Sequence, residues 1–278
     1  MAIGLAISTF PLAAQTSEKQ TGEKQSSDKM SISFRDPSRP GTVKLNINYG
    51  SIVVRAHSGK DVSVESETHA DKDRDGAVPE SARGLKRLNA TGSSLTLDED
   101  NNVVTISTGW KARNETFIIL VPVRTSLKLS AVNGKRIAVE GVEGEMELNA
   151  TNGTIELTDV SGSVVAHALN GKIVAKFKRV DTDKPMSFSS MNGTIDVTLP
   201  SALKANLKIQ TNNGDVFTDF DVVMERDSIR QEKTVPKPGE AGRSRFKRET
   251  FTSGAVNGGG PDYTFKNFNG NIYIRKGN

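Results

Sequence analysis

The chain has 278 residues, 35% hydrophobic and 5% aromatic, so its core must be built from aliphatic side chains, in one large domain or two small ones. The net charge of +4 is spread among both signs, and the absence of a basic helix or an aromatic-basic platform argues against nucleic-acid binding. There is no cysteine, which excludes disulfides, thiol catalysis, Cys-based metal sites and a lipidated N-terminal Cys.

Residues 1–14 read MAIGLAISTFPLAA, an apolar run ending in small residues, like the hydrophobic region and cleavage site of a secretory signal. No Lys or Arg precedes it, so the signal is expected to be incomplete. The run is too short to span a bilayer, and no later segment is apolar enough to do so. Residues 15–40 read as a polar linker. A secreted, periplasmic or cell-surface location is expected.

The folded part is expected over residues 41–276. It opens on a weak copy of a unit that becomes explicit later: Val43, Leu45 and Ile47 alternate toward Tyr49-Gly50, and Ile52 and Val54 follow. Residues 68–92 form a polar insertion, in which a short helix fits residues 79–88. The insertion carries Asp71-x-Asp73-x-Asp75-Gly76, the first half of a calcium loop. The twelfth position is Ala82 where Glu is needed, and Lys72 and Arg74 dilute the charge. A solvated loop is expected there, and no metal site.

The repeat comes next. Asn-Gly recurs at Asn133-Gly134, Asn152-Gly153, Asn170-Gly171, Asn192-Gly193, Asn213-Gly214 and Asn269-Gly270, with Asn spacings of 19, 18, 22, 21 and 56. Six and four residues before each Asn stand apolar residues, and two before it a residue of small or modest size, as in Leu127, Leu129 and Ala131 or Met186, Phe188 and Ser190. Three and five residues after come pairs such as Ile155 and Leu157, or Ile195 and Val197. The first copy fits with one extra residue, Arg136, read as a bulge. Period-2 alternation into and out of a fixed turn predicts strand-turn-strand units that cannot bury their apolar row alone and must stack. The Asn-Gly pairs are expected to supply positive φ angles at the corner, and the Asn side chains to bond along a structural ladder. Gly141-Val142-Glu143-Gly144 and Asp159-Val160-Ser161-Gly162 mark a second corner.

Residues 222–260 interrupt the pattern with a basic run and two prolines. They read as a mobile excursion in which Arg243, Arg245, Lys247 and Arg248 offer a contact for anionic polysaccharide or headgroups. The chain then returns to the repeat at Asn269-Gly270-Asn271-Ile272-Tyr273-Ile274-Arg275-Lys276.

The Asn-Gly-x-Ile-x-Val pattern, alternating with Val-x-Gly, resembles the bacterial "putative adhesin" β-strand-repeat family, a domain of unknown function. The closing octapeptide is similar to that family's last rung. The resemblance implies an exported, single-stranded right-handed β-helix with a surface or adhesive role, and supplies no catalytic residue.

Chemistry is sparse. Glu156 and Asp196 fall on one outward column, two rungs or about 9 to 10 Å apart with Val174 between them. That separation does not exclude an inverting carboxylate pair, but no basic or aromatic groove flanks it, and solvated strand faces are the expected reading. His57, His69 and His167 are scattered without zinc-ligand spacing, and no Gly-x-Ser-x-Gly elbow is present. The sequence therefore points to an all-β solenoid without cofactor. It is expected to act as a non-catalytic binding, adhesin-like or scaffold module toward envelope polysaccharide or another surface protein. The alternative is a carbohydrate-active enzyme, a lyase or hydrolase, on a β-helix.

Overall fold

The computed structural model describes residues 29–68, 95–109, 115–224, 228–234 and 245–277. The strands, in chain order, begin with β1 (Lys29–Ser33), β2 (Gly41–Tyr49), β3 (Ser51–His57), β4 (Asp61–Thr68), β5 (Leu95–Asp100), β6 (Val103–Thr108) and β7 (Glu115–Pro122). Next come β8 (Thr125–Asn133), β9 (Arg136–Glu140), β10 (Glu143–Asn152), β11 (Thr154–Asn170), β12 (Ile173–Val180), β13 (Met186–Asn192) and β14 (Ile195–Pro200). The last are β15 (Ala205–Asn213), β16 (Val216–Thr218), β17 (Val222–Met224), β18 (Ser228–Thr234), β19 (Arg245–Val256), β20 (Asp262–Asn269) and β21 (Ile272–Gly277). No helix occurs among the described residues.

Each unit contributes one strand before its corner and one after it, and these stack into two ladders. The approach ladder runs β6, β2, β8, β10, β11, β13, β20, β15. The departure ladder runs β7, β3, β9, β11, β12, β14, β21, β16. Every pairing within these two series is parallel. β11 serves both, its first half in the departure ladder and its second half in the approach ladder, bent at Asp159 with a φ of 52°. The result is an all-β, solenoid-like stack of eight rungs among the described residues.

The alternation explains the core. Inward residues of both ladders form one buried cluster. Along the departure ladder one column reads Phe117, Ile52, Ile137, Ile155, Ile173, Ile195 and Ile272, all fully buried. Each such side chain contributes about 1.5–3 kcal/mol by leaving water. Volume is balanced between rungs. Ala166, Ala168 and Ala175 are small, and Phe177 fills the space edge-on to Phe188, with centroids 6.2 Å apart. Phe188 in turn stacks on Phe265 at 5.3 Å.

Rung order departs from chain order at both ends. β6–β7 lies outside β2–β3, so the Tyr49-Gly50 unit is the second rung and not the first. β20–β21 is not a last rung: it lies between β13–β14 and β15–β16. After β14 the chain steps over one rung position at residues 201–204. The gap is filled only when the chain returns, by the large inward residues Tyr263 and Phe265.

Two segments are more ordered than their polarity predicts. Within the span expected as a polar linker, residues 15–40, the described part from Lys29 onward holds β1, which pairs antiparallel with β4, and Phe34 is buried against the end of the core. The mobile excursion expected over residues 222–260 contains three strands. β19 runs antiparallel along β15, β17 follows it, and β18 pairs with β19. The physical reason is the edge of β15, whose backbone groups need a partner that β19 supplies. The leader at residues 1–14, the insertion over 69–92 with Asp71, Asp73 and Asp75, and Arg243 lie outside the described residues.

Candidate functional site

The corner brings the repeated Asn side chains into one line. Asn152 donates its amide to Asn133 (2.9 Å), Asn170 to Asn152 (3.0 Å), Asn192 to Asn170 (2.8 Å), Asn269 to Asn192 (2.7 Å) and Asn213 to Asn269 (2.8 Å). All five bonds point the same way, toward the β2 end of the stack.

The glycines follow the same line for a steric reason. A Cβ on Gly134, Gly153, Gly171, Gly193, Gly270 or Gly214 would strike a backbone carbonyl oxygen of the adjoining rung, well inside van der Waals contact. The expected positive φ is not the general cause. None of the six Asn residues has a positive φ, and Gly134, Gly171 and Gly193 do not either. Close stacking of corners excludes a side chain there. In the last three rungs the residue two before the Asn is polar and caps corner carbonyls: Ser190 donates to Gly171 (3.0 Å), Asn267 to Gly193 (2.7 Å), and Thr211 to Gly270 (3.4 Å).

Beside the Asn line runs an apolar stripe that the inward-facing pattern did not reveal. The residue preceding each Asn points outward. On three successive strands, β11, β13 and β20, it is Leu169, Met191 and Phe268. Met191 is 45% and Phe268 46% exposed. Val132 continues the stripe beyond Thr151, and Val165 on the same face is 51% exposed. The signal was present in the sequence: an apolar residue immediately before a polar turn residue faces solvent when the residue two before the Asn faces the core. Between these columns, His167 shares a hydrogen bond of 2.8 Å with Ser189 on the next rung. Among the described residues no carboxylate is bonded to that imidazole, and the pair is a contact between adjoining rungs.

The departure ladder's outer face carries the charged groups. One column reads Ala138, Glu156, Val174, Asp196, Tyr273 and Phe217 in spatial order. Glu156 pairs with Arg136 (3.8 Å), and Asp196 holds Arg275 through two bonds of 2.8 and 3.1 Å. The hydrogen bond and charge of Asp196 raise the Arg275 guanidinium above its ordinary value. Each carboxylate thus has its own cation, and Val174 separates the two, so they do not form a paired acid and base. Among the described residues no group of acidic or His side chains is arranged to hold a metal.

Phe217 stacks on Tyr273 at 5.2 Å and 12°, and Arg275 lies over the Tyr273 ring at 5.1 Å. Asn271 donates to the Tyr273 hydroxyl (3.1 Å), and the Asp215 backbone N–H donates to Asn271 (3.0 Å). Of the expected anion contacts, Arg245, Lys247 and Arg248 lie on β19 opposite Thr234, Glu232 and Gln231 of β18. No helix among the described residues is long and apolar enough to cross a membrane.

A family model described as Toastrack DUF4097 matches residues 21–244. No curated protein matches the chain significantly. Among solved structures, a "putative cell adhesion protein" from Clostridium sporogenes ATCC 15579 aligns over 90% of this chain and 100% of its own, at 10% identity and a TM-score of 0.39. A "putative adhesin" from Bacteroides fragilis NCTC 9343 aligns over 90% and 96%, at 9% identity and a TM-score of 0.28. Scores this low carry nothing beyond a general likeness.

Proposed function

The chain belongs to the Toastrack DUF4097 family, and from that premise we propose that it is an exported, non-catalytic binding module of the cell surface or periplasm, adhesin-like or scaffolding. In this reading residues 1–14 are an export leader, and the stack is a right-handed single-stranded β-helix. The Asn-Gly corners hold the rungs in register and are not a ligand site.

The observation that carries the reading is the outer face of the approach ladder. Leu169, Met191 and Phe268 form an apolar stripe across three adjoining rungs, beside polar ladders whose groups are already paired. Strands about 4.8 Å apart make that stripe a straight, rigid track. A rigid face loses little entropy on contact, which favours recognition of an extended partner. Such a contiguous apolar strip on a polar surface is the usual mark of an interaction site. A catalytic reading draws no support from the acidic groups, because Glu156 and Asp196 are each neutralised by a neighbouring arginine.

The test is sedimentation of the purified protein with envelope fractions of Gram-negative and Gram-positive bacteria. The wild type is expected to co-sediment, and a Met191→Ser/Phe268→Ser variant to remain in the supernatant with an unchanged melting temperature. Equal co-sedimentation of the two proteins would remove the stripe from the function. Failure of the wild type to co-sediment would remove the binding role itself.

A further inference from the structure

Three of the four ladder ends are closed by antiparallel strands. β5 covers β6 at the start of the approach ladder, and β4 followed by β1 covers β7 at the start of the departure ladder. At the other end of the stack β19 and then β17 extend the approach ladder beyond β15. The fourth end is β16, whose one strand neighbour among the described residues is β21. Its second edge therefore faces a step. The approach side rises two strands past it, roughly 10 Å, and among the described residues no departure strand rises with it.

The backbone groups at that edge follow from the pairing with β21. Ile272 donates its backbone N–H to the Asp215 carbonyl at 2.9 Å. Successive residues of a parallel strand turn their polar groups to opposite sides, so the backbone of Phe217 faces β21. The N–H and C=O of Val216 and of Thr218 then face the step, as an edge strand presents them. The side chains are open there too. Val216 continues the inward column of Ile195 and Ile272, which are fully buried, yet it is 39% exposed. Across the step, Met224 lies in the inward register of the buried Leu207 and Gly254 and is 59% exposed. Both registers are buried one strand earlier and open to water here.

An extended polypeptide fits this step. A strand laid along β16 would exchange hydrogen bonds with Val216 and Thr218, and would turn alternate side chains inward toward Val216 and Met224. The ladder already accepts strands out of chain order: β21 follows β16 in the sequence and lies between β14 and β16. A second copy fits less well. Antiparallel pairing of two β16 strands about a two-fold axis normal to the sheet would drive β19 and β17 of each copy into those of the other, because both rise past the edge being joined. We propose that the open edge of β16 is a strand-addition site for an extended segment of another protein, one that carries apolar residues at alternate positions. The site is separate from the apolar stripe on the approach ladder and does not depend on it.

Fluorescence anisotropy of the full chain with a labelled peptide tests it. The peptide Asn-Ile-Tyr-Ile-Arg-Lys-Gly copies residues 271–277, the strand that β16 already accepts on its other edge. Saturable binding is expected. In the same register the peptide's Tyr turns its N–H toward the Val216 carbonyl, so N-methylation of that Tyr should weaken binding about tenfold or more, as should scrambling the sequence. Val216→Pro removes an N–H that faces the step while leaving the bonds to β21, and should cause a similar loss with little change in melting temperature. Met224→Ser should weaken binding, and Met191→Ser/Phe268→Ser should leave it unchanged. Absence of peptide binding overturns the proposal, as does equal binding of the N-methylated peptide, which needs no variant to fold. Sedimentation velocity supplies the last outcome: a dimer that Val216→Pro dissolves would give the edge to a second copy and overturn the proposal.

Discussion

Asn269 donates its side-chain amide to Asn192 at 2.7 Å although 77 positions separate them in the chain. The β20–β21 rung is thus built into the interior of the stack, with β13–β14 on one side and β15–β16 on the other. Interior placement gives that rung neighbours on both sides, and makes β15 depend on residues that follow it by 56 positions. Non-local dependence of this kind slows folding, because a long loop must close before its contacts form.

Deletion of residues 262–278 is therefore expected to do more than shorten the solenoid. Among the described residues it removes the one parallel neighbour of β15 and leaves Ala205–Asn213 its antiparallel pairing with β19. Amide hydrogen exchange should show β15 exchanging faster than in the full chain while β8, β10 and β11 keep their protection. Protection of β15 unchanged from the full chain would refute the interior placement.

The glycine line gives a sharp contrast. A methyl group on Gly171 would meet the Gly153 carbonyl oxygen, a backbone atom that cannot swing away. Gly171→Ala should cost about 1–3 kcal/mol. At Gly277 the nearest atom lies at 3.3 Å and the φ is ordinary. Gly277→Ala should stay within about 0.5 kcal/mol of the wild type in urea melts.

Asn192→Ala breaks two ladder bonds, one to Asn170 and one from Asn269. Each is expected to contribute about 0.5–1.5 kcal/mol. Combined with Asn269→Ala the effects should fall short of additive, since both variants delete the same Asn192–Asn269 bond. Strict additivity in a double-mutant cycle would show that the ladder contributes no coupling.

Tyr263 supplies a pH signature. Burial, reinforced by the charge of Asp181, pushes its phenol up to about 12. The folded protein keeps the proton where an unfolded chain, with a phenol near 10, releases it. The unfolded state then binds fewer protons than the native one, so stability falls as pH rises. The contribution is whole below pH 10 and is lost toward pH 12. Tyr263→Phe should flatten that decline in thermal melts. It should also equal or exceed the wild type at pH 7, because the buried hydroxyl has no hydrogen-bond partner among the described residues.

The sequence exposes some of this fold directly and hides the rest for definite reasons. Residues such as Ile155, Ile173 and Ile195 recur at fixed distances from Asn-Gly, and that register makes stacked strands readable without coordinates. Spatial order is another matter. Tyr263 and Phe265 fit any rung position with enough volume, so nothing local says that their rung sits inside β15. The hairpin of β18 and β19 is rich in Lys, Arg and Glu. Those residues read as solvated chain until the edge of β15 is seen to need a cover. The outward stripe of Leu169, Met191 and Phe268 was legible in principle, because alternation assigns the face. Phe217 was not, since its exposure comes from its place at the end of the departure ladder among the described residues.

The direction of the side-chain amides has a last consequence. Because all five amides donate toward β2, the chain of Asn dipoles has a head and a tail, as a helix does. A guest rung carrying Asn can enter between any two members without reversing the others, as β20–β21 has done. A fold with such a polar thread tolerates changes in length and in order of assembly, provided that each arriving corner presents an amide the same way round.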